Sequence, residues 1–138
     1  MKTHTTSYFN TFIIVADDCQ ARSGIEPPIK DDVKTLANLQ FDLLKGNPYQ
    51  YTSDELLFRV HAIRKGFSES EWLEETKRFF SKGQPCLRSS FLTKRYGWGI
   101  HSDSDGRVAI YGPGTTEYKH FADEHSLSVV KAMRSKKG

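Results

Sequence analysis

The side chains best suited to chemistry lie around residue 103. His101 and Asp103 are two positions apart, and Arg107 follows after the turn sequence Asp-Ser-Asp-Gly. Alternate residues of a strand point to one face, so His101 and Asp103 share a face if one strand carries both. A histidine oriented by a carboxylate is one way to build a general base. The structural alternative is a surface histidine beside an ion pair that joins Asp103 to Arg107 across a hairpin.

Cys86 is the second candidate for catalysis. It lies in the segment Gln-Pro-Cys-Leu-Arg, where Arg88 and Lys82 supply positive charge that favours a thiolate. An activated thiol is a nucleophile, whereas a partly buried cysteine is inert. If Cys86 is a nucleophile with His101 as its base, the fold must bring the two side chains within hydrogen-bond reach.

Two glycines, Gly97 and Gly99, flank Trp98 in a segment of strand character. Glycine inside a strand weakens it and usually marks a bend or the close approach of another group. On one face of a strand, the two glycines predict a shallow groove next to Tyr111 of the partner strand. Either this groove receives a ligand, or Tyr111 or a helix fills it.

Positive charge is concentrated in the C-terminal part of the chain. Residues 82–138 carry ten Lys and Arg against five Asp and Glu, whereas residues 1–81 carry ten against twelve. This asymmetry favours an anionic small molecule or an acidic protein segment as partner. Nucleic acid is a weaker alternative, since no nucleic-acid-binding motif is present. The predicted ligand-binding residues are Arg88, Lys94, Arg95, Gly97, Gly99, His101, Arg107 and Tyr111.

Helix-capping residues and the spacing of apolar residues predict the helices and strands that position these residues. Capping boxes begin helices at Thr52 and Ser68, and Asp31 or Asp32 is the predicted N-cap of an earlier helix. The pattern predicts one α+β domain over residues 1–138, with about four mainly antiparallel strands in one sheet packed against three main helices. The strands are predicted at 8–15, 95–101, 107–112 and 127–134, the helices at 32–45, 52–65, 68–82 and, shorter, 116–123, with a loop at 17–30, an irregular basic segment at 84–94 and a basic tail at 135–138.

The register of the hairpin around the Asp-Ser-Asp-Gly turn follows from its faces. A three-residue loop with Gly106 in the left-handed region pairs Ile100 with Ile110 and Ser102 with Val108. This register alone separates apolar from polar residues, so it predicts that Tyr96, Trp98, Ile100, Val108 and Ile110 face the core.

Composition limits the class of protein. A chain of 138 residues with 12% aromatic residues can fold as one ordinary domain without cross-links. Cys19 and Cys86 form neither a disulfide framework nor a metal-binding pattern, so no metal or other cofactor is predicted. No apolar run reaches the roughly 20 residues of a membrane helix, and the N-terminus lacks the apolar core of a secretory signal. We therefore expect a cytoplasmic protein without membrane contact.

Several segments are long enough to be compared with known proteins: ADDC at 16–19, HTTSYFNTFI at 4–13, YTSDELLF at 51–58, FFSKGQPCLR at 79–88, LTKRYGWGIH at 92–101 and KAMRS at 131–135. Together they resemble a small family of uncharacterised, mostly bacterial proteins, nearly end to end. Phe91 stands where the family pattern has proline. The resemblance implies a compact stand-alone bacterial protein, and it implies no catalytic residue.

Three functions are consistent with these observations. The first is a binding module that holds an anionic small ligand or an acidic segment between the Gly97 and Gly99 face and the basic 82–95 loop. The second is a small enzyme that uses Cys86 or the pair His101 and Asp103. The third is a structural or homodimerising protein. We favour the first, and the sequence leaves the oligomeric state open.

Overall fold

Four short strands form one mixed sheet in the order β3-β2-β1-β4. The computed structural model describes residues 4–135, and the strands are β1 (Thr11–Ile14), β2 (Gly99–Ser102), β3 (Val108–Tyr111) and β4 (Ser128–Lys131). β2 is antiparallel to β1 and β3, whereas β4 is parallel to β1. The predicted α+β class with mainly antiparallel strands is confirmed. Each strand is shorter than predicted, because pairing covers only four residues.

The predicted hairpin register is confirmed. Ile100 pairs with Ile110, and Ser102 pairs with Val108. Gly106 has φ of +80°, in the left-handed region that the predicted loop requires. The inward face of the sheet meets the main core, in which Ile13, Ile100 and Val108 are fully buried.

Helix α1 (Leu36–Lys45) begins later than the predicted residue 32. Asp31 and Asp32 have φ of +54° and +58°, which no α-helix accommodates, and they form a tight turn closed by a hydrogen bond from Val33 N to Lys30 O. Thr35 is the actual N-cap and forms a capping box with Asn38. Val33, an apolar residue inside the predicted helix range of 32–45, is 67% exposed.

Helix α2 (Ser53–Lys65) is the predicted second helix, with the Thr52 capping box and a left-handed Gly66 at its end. Helix α3 (Trp72–Phe79) follows a short 3-10 turn and ends three residues before the predicted Lys82. It ends because the backbone leaves helical geometry at Phe80, which has φ of −91° and ψ of +8°. Leu73, an apolar residue of this helix, is 70% exposed.

The segment between α3 and β2 is more ordered than predicted. It contains a 3-10 turn (Leu87–Ser89) and a one-turn helix α4 (Phe91–Lys94), for which Ser90 is the N-cap. Leu87 and Leu92 enter the main core, which also contains side chains of α1 and α2. Helix α3 instead packs on α2 through a second cluster that includes Phe58 and Phe80.

The second face of the sheet is covered by helix α5 (Thr116–Asp123). Tyr118 packs edge-on against Phe12 at 5.0 Å between ring centroids, and Phe121 packs against the same ring at 5.5 Å. Val15 N donates a hydrogen bond of 3.1 Å to the Tyr118 hydroxyl oxygen. The sheet therefore has helices on both faces.

Two further expectations concern the ends and the surface of the chain. Of the predicted basic tail at 135–138, residues 136–138, with Lys136 and Lys137, lie outside the described residues. Within residues 4–135, no helix is both long and apolar enough to cross a lipid bilayer.

Candidate functional site

A cavity of about 350 Å³ opens between helices α1, α2 and α3 and the segment that follows them. Its volume is within the roughly 300–1,000 Å³ range of small-molecule pockets. We call it the helical cavity. It is lined by Leu36, Ala37 and Gln40 of α1, by Leu57, Val60, His61 and Arg64 of α2, by Phe79 of α3, and by Gln84, Pro85, Cys86, Ser89, Ser90 and Phe91.

Helical spacing explains how α1 and α2 contribute to this wall. Residues three or four positions apart lie on one side of a helix. On α1 the residues Ala37 and Gln40 are three apart, and on α2 the residues Val60 and Arg64 are four apart. The third wall is built by the 3-10 turn after α3, whose Ser89 hydroxyl donates to Cys86 O at 2.7 Å.

Gln40 is the deepest polar side chain of the helical cavity and is only 6% exposed. Its Oε1 accepts a hydrogen bond of 2.6 Å from the Ser90 hydroxyl, which in turn accepts from Leu92 N. Its Nε2 has no hydrogen-bond partner among residues 4–135, and solvent reaches this nitrogen. Because Gln40 lines the cavity and its Nε2 has no protein partner, this amide is the cavity's candidate donor to a ligand acceptor.

His61 lies at the wall formed by α2 and α3. Its ring contacts that of Phe79 at 4.6 Å between centroids. Burial is the main cause that lowers the pKa of His61, and the nearby charges of Lys65, Arg64 and Lys82 lower it further, against an opposing effect of Glu75. The imidazole is therefore held towards its neutral form in positively charged surroundings.

The charge of the cavity wall is one-sided. Arg64 is its one permanently charged lining residue within the described part of the chain, and the lining contains no Asp or Glu. Most of the remaining wall is apolar. A wall with hydrogen-bond donors and no carboxylate favours a ligand that carries acceptors or negative charge.

Cys86 contributes a thiol to the same cavity. Its Sγ lies 3.4 Å from the hydroxyl oxygen of Tyr8, and either group can be the donor. Burial is the main cause that raises the pKa of Tyr8, and the contact with Cys86 raises it further. The phenol therefore keeps its proton and can donate it in a hydrogen bond to sulfur.

The predicted groove at Gly97 and Gly99 does not exist. A Cβ on Gly99 would lie 2.6 Å from both the Phe12 and Tyr118 rings, so those side chains occupy the space. Gly97 precedes the strand with φ of +77°, and a Cβ there would meet Ser23 O at 2.5 Å. The glycines are required for close packing by α5 and by the 17–30 loop, a use that the sequence left open.

His101 is oriented by a tyrosine and not, as predicted, by Asp103. Its Nδ1 lies 2.8 Å from the Tyr49 hydroxyl, which is also 2.8 Å from the Tyr111 hydroxyl. Phe121 of α5 stacks on the imidazole at 4.0 Å. Burial lowers the pKa of His101, and the weaker effect of the Asp103 charge opposes it. Burial also raises the pKa of Tyr49 strongly, with the Tyr111 hydrogen bond as second cause.

Asp103 serves the turn. Its Oδ1 accepts hydrogen bonds of 2.9 Å from the backbone of Asp105 and Arg107. No ion pair between Asp103 and Arg107 is present in the described residues, which corrects the predicted cross-strand pair. Cys86 and His101 also belong to different sides of the sheet, because Cys86 lines the helical cavity and His101 lies under α5. They do not form a nucleophile–base pair.

The remaining predicted ligand-binding residues do not converge on one site. The Arg88 guanidinium donates to Lys131 O at 2.8 Å. The Lys94 ammonium lies over the Phe91 ring, and the Arg95 guanidinium lies over the Tyr96 ring. Each is engaged locally on the surface.

The sequence arguments missed Gln40, His61 and Arg64. The signal for two of them was available, since His61 and Arg64 are four and seven positions after Leu57 on an otherwise apolar helix face. A similar signal existed for Gln40, which lies four positions from both Leu36 and Leu44, but its partner Ser90 is fifty positions further along the chain and no local pattern predicts that contact. In the described residues no three His, Cys, Asp or Glu side chains are grouped so as to hold a metal ion.

Comparison with known proteins gives one match. The model of a family of unknown function (DUF6157) matches residues 3–138. None of the curated proteins and none of the solved structures compared with the chain matches it. The chain therefore belongs to this family of unknown function, and the family carries no activity over to it.

Proposed function

We propose that the protein binds a small organic anion with an apolar body, such as an aryl or alkyl carboxylate, in the helical cavity. The observation that carries the proposal is the unpaired Nε2 of Gln40. Solvent reaches this nitrogen, so water is its acceptor in the free protein and a ligand oxygen can replace that water. A carboxylate or carbonyl oxygen at this position supplies that acceptor.

The rest of the wall supports the same class of ligand. Val60, Leu57 and Phe79 offer apolar surface to the body of the ligand. Arg64 adds positive charge near the mouth, and no lining carboxylate opposes an anion. The sequence argument pointed to an anionic ligand at the basic 82–95 loop. The proposal keeps the ligand class and part of this loop, and it moves the site from the glycine strand to the other side of the sheet.

The proposal places the protein in a reducing compartment such as the cytoplasm. Cys19 and Cys86 are both free thiols. A binding cavity that is lined by a free thiol keeps its shape and polarity only where that thiol stays reduced.

The test is an amide NMR titration of the labelled protein with 3-benzoylpropionate, a ketoacid with an aromatic body, and with its uncharged amide. We expect shifts centred on Ala37, Gln40, His61 and Cys86, and stronger binding of the acid than of the amide. Gln40→Met keeps the length of the side chain and removes its donors, so it should weaken binding at least tenfold, about 1.4 kcal/mol. Gln50→Met, an exposed change outside the cavity, is the control.

A second pair of variants tests the charge. Arg64→Gln should weaken binding of the acid more than binding of the amide. Arg59→Gln should change neither affinity, because Arg59 lies over the rings of Tyr51 and Trp72 outside the cavity. Shifts that centre on Gly99 and Tyr111 would contradict the proposed site. Equal affinities for the amide and the acid would contradict the preference for anions.

A further inference from the structure

We propose that Cys86 is a covalent attachment point for conjugated carbonyl compounds that enter the helical cavity, in particular 4-oxo-2-alkenoic acids. This inference rests on the proposed function and names the ligand class more closely. Two independent observations support it. Cys86 lines the cavity, and so does Gln40, which is 6% exposed and whose Nε2 has no partner among residues 4–135 although its Oε1 is held by Ser90.

The position of Tyr8 prepares the sulfur for reaction. The phenol oxygen is 3.4 Å from Sγ, and its hydroxyl can donate to a thiolate there. A hydrogen bond to the charged form stabilises that form, and the thiolate is the nucleophilic form of cysteine. The Tyr8 segment is itself tied down, because Thr6 donates backbone and side-chain hydrogen bonds of 2.7 Å to Asp54.

The chemistry is a conjugate addition, and it needs no oxidant. The thiol proton passes to water or to the neutral His61, and Sγ forms a bond to the alkene carbon β to the ketone. The π electrons move towards the carbonyl oxygen, and the carbon next to the carbonyl then takes up a proton. The net change is addition of S–H across the double bond, with no leaving group.

The donors of the cavity select the ligand. A conjugated carbonyl becomes a stronger electrophile when its oxygen accepts a hydrogen bond, since negative charge develops on that oxygen. Gln40 supplies such a donor, and Arg64 attracts the carboxylate of the same molecule. A 4-oxo-2-alkenoic acid carries both groups on either side of its double bond, so a single compound uses both features of the wall.

Cys19 is the matched internal control. Its thiol is half-buried, contacts Ala21 O at 4.0 Å and does not line the helical cavity. A reagent that modifies cysteines by simple exposure has no reason to prefer Cys86 over Cys19. A preference for Cys86 therefore measures the cavity and not the thiol alone.

The experiment treats the whole protein with trans-3-benzoylacrylic acid and follows adducts by intact mass and peptide mapping. We expect one adduct per chain, on Cys86, forming at least tenfold faster than on Cys19 or on free glutathione. The saturated 3-benzoylpropionate should slow the reaction by competition. Tyr8→Phe should slow it as well, because the sulfur loses its hydrogen-bond partner, with unchanged affinity for the saturated acid.

Cys86→Ser separates this inference from the proposed function. The variant should lose the fast adduct and still bind 3-benzoylpropionate, as shown by ligand-dependent shifts at Ala37, Gln40 and His61. Binding of the saturated acid without fast modification of Cys86 would overturn the covalent role alone. Loss of binding in both the parent and folded Cys86→Ser, judged by circular dichroism, would overturn both. Cys86→Ala repeats the comparison if the serine variant does not fold.

Discussion

The two faces of the sheet are covered in different ways, and the difference shows what makes a cavity a candidate site. On the second face, which we call the outer face, Tyr118 and Phe121 of α5 pack directly against Phe12 and fill the space beside Gly99. On the inner face, α1 and α2 approach the segment after α3 without closing the gap between them, and about 350 Å³ stays open.

Hydrogen bonding differs in the same way. Under α5, the Tyr49 hydroxyl contacts both His101 and Tyr111, and Phe121 stacks on the imidazole, so the rings of α5 leave no open space beside this network. In the helical cavity, Gln40 has its oxygen satisfied by Ser90 and its nitrogen free. Both regions contain a histidine and other polar groups. What distinguishes the cavity is therefore the open space beside its donor, and not the presence of reactive residue types.

The largest contrast is expected between two phenylalanines. Phe12 is fully buried under α5, so Phe12→Ala should cost about 3–5 kcal/mol of unfolding free energy. Phe91 is 47% exposed at the cavity, so Phe91→Ala should cost less than about 1 kcal/mol and should weaken 3-benzoylpropionate binding. Urea denaturation and the NMR titration measure the two effects. Equal stability losses would mean that α5 packs as loosely as the cavity wall.

Substitution of Gly99 tests whether the space on the outer face is filled, and Gly114 is the control position. Gly99→Ala places a methyl group 2.6 Å from the Phe12 and Tyr118 rings, so overpacking should cost about 1–3 kcal/mol. At Gly114 a Cβ meets nothing within 4 Å, and Gly114→Ala should change stability by no more than about 0.5 kcal/mol. A stable Gly99→Ala that gains affinity for small ligands on this face would restore the glycine groove as a site.

Local signals predicted the fold well where they act within a few residues. The Thr52 capping box and the Gly106 turn involve neighbours in sequence, and both are found as predicted. The start of α1 was misplaced because Asp31 and Asp32 resemble N-caps in composition, and the left-handed turn they form is not visible from residue type alone.

The site depended on contacts that no local pattern encodes. Gly99 was correctly identified as a place of close approach, but the ring that approaches is Tyr118, nineteen positions later. Cys86 was named as a candidate for reactivity, and its neighbours in the cavity come from α1 and α2. Sequence spacing identifies which residues share a helix face, whereas a cavity depends on gaps in the packing between elements that are distant in sequence.

The hydrogen bonds of the Tyr49 hydroxyl under α5 are expected to contribute a smaller amount of stability. Tyr49→Phe removes the hydroxyl shared by His101 and Tyr111, and the loss should be about 1 kcal/mol because two partly buried groups lose a partner. Tyr96→Phe is the control, since the Tyr96 hydroxyl has no hydrogen bond within residues 4–135. Thermal or urea unfolding measures both. Equal values for the two variants would show that the network adds nothing beyond ring packing.

The smallest expected effect is a difference between two histidines. The pKa of His61 and that of His101 are both lowered, chiefly by burial, from the ordinary value of 6.5. The unfolded chain therefore takes up protons first as the pH falls below 6.5. Stability is complete above that pH and declines as the pH drops towards the folded-state values. Ring-proton NMR of the free protein should show both midpoints below 6.5, with His61→Gln and His101→Gln providing the assignments.

Ligand binding should then separate the two histidines. A carboxylate in the helical cavity adds negative charge near His61, so 3-benzoylpropionate should raise the pKa of His61 and leave that of His101 unchanged under α5. By linkage, affinity for the acid should increase as the pH is lowered through the range in which His61 titrates, and the uncharged amide should show no such trend. If the acid moved both midpoints equally, the closed face would be as accessible as the open one, and the distinction between the two faces would be wrong.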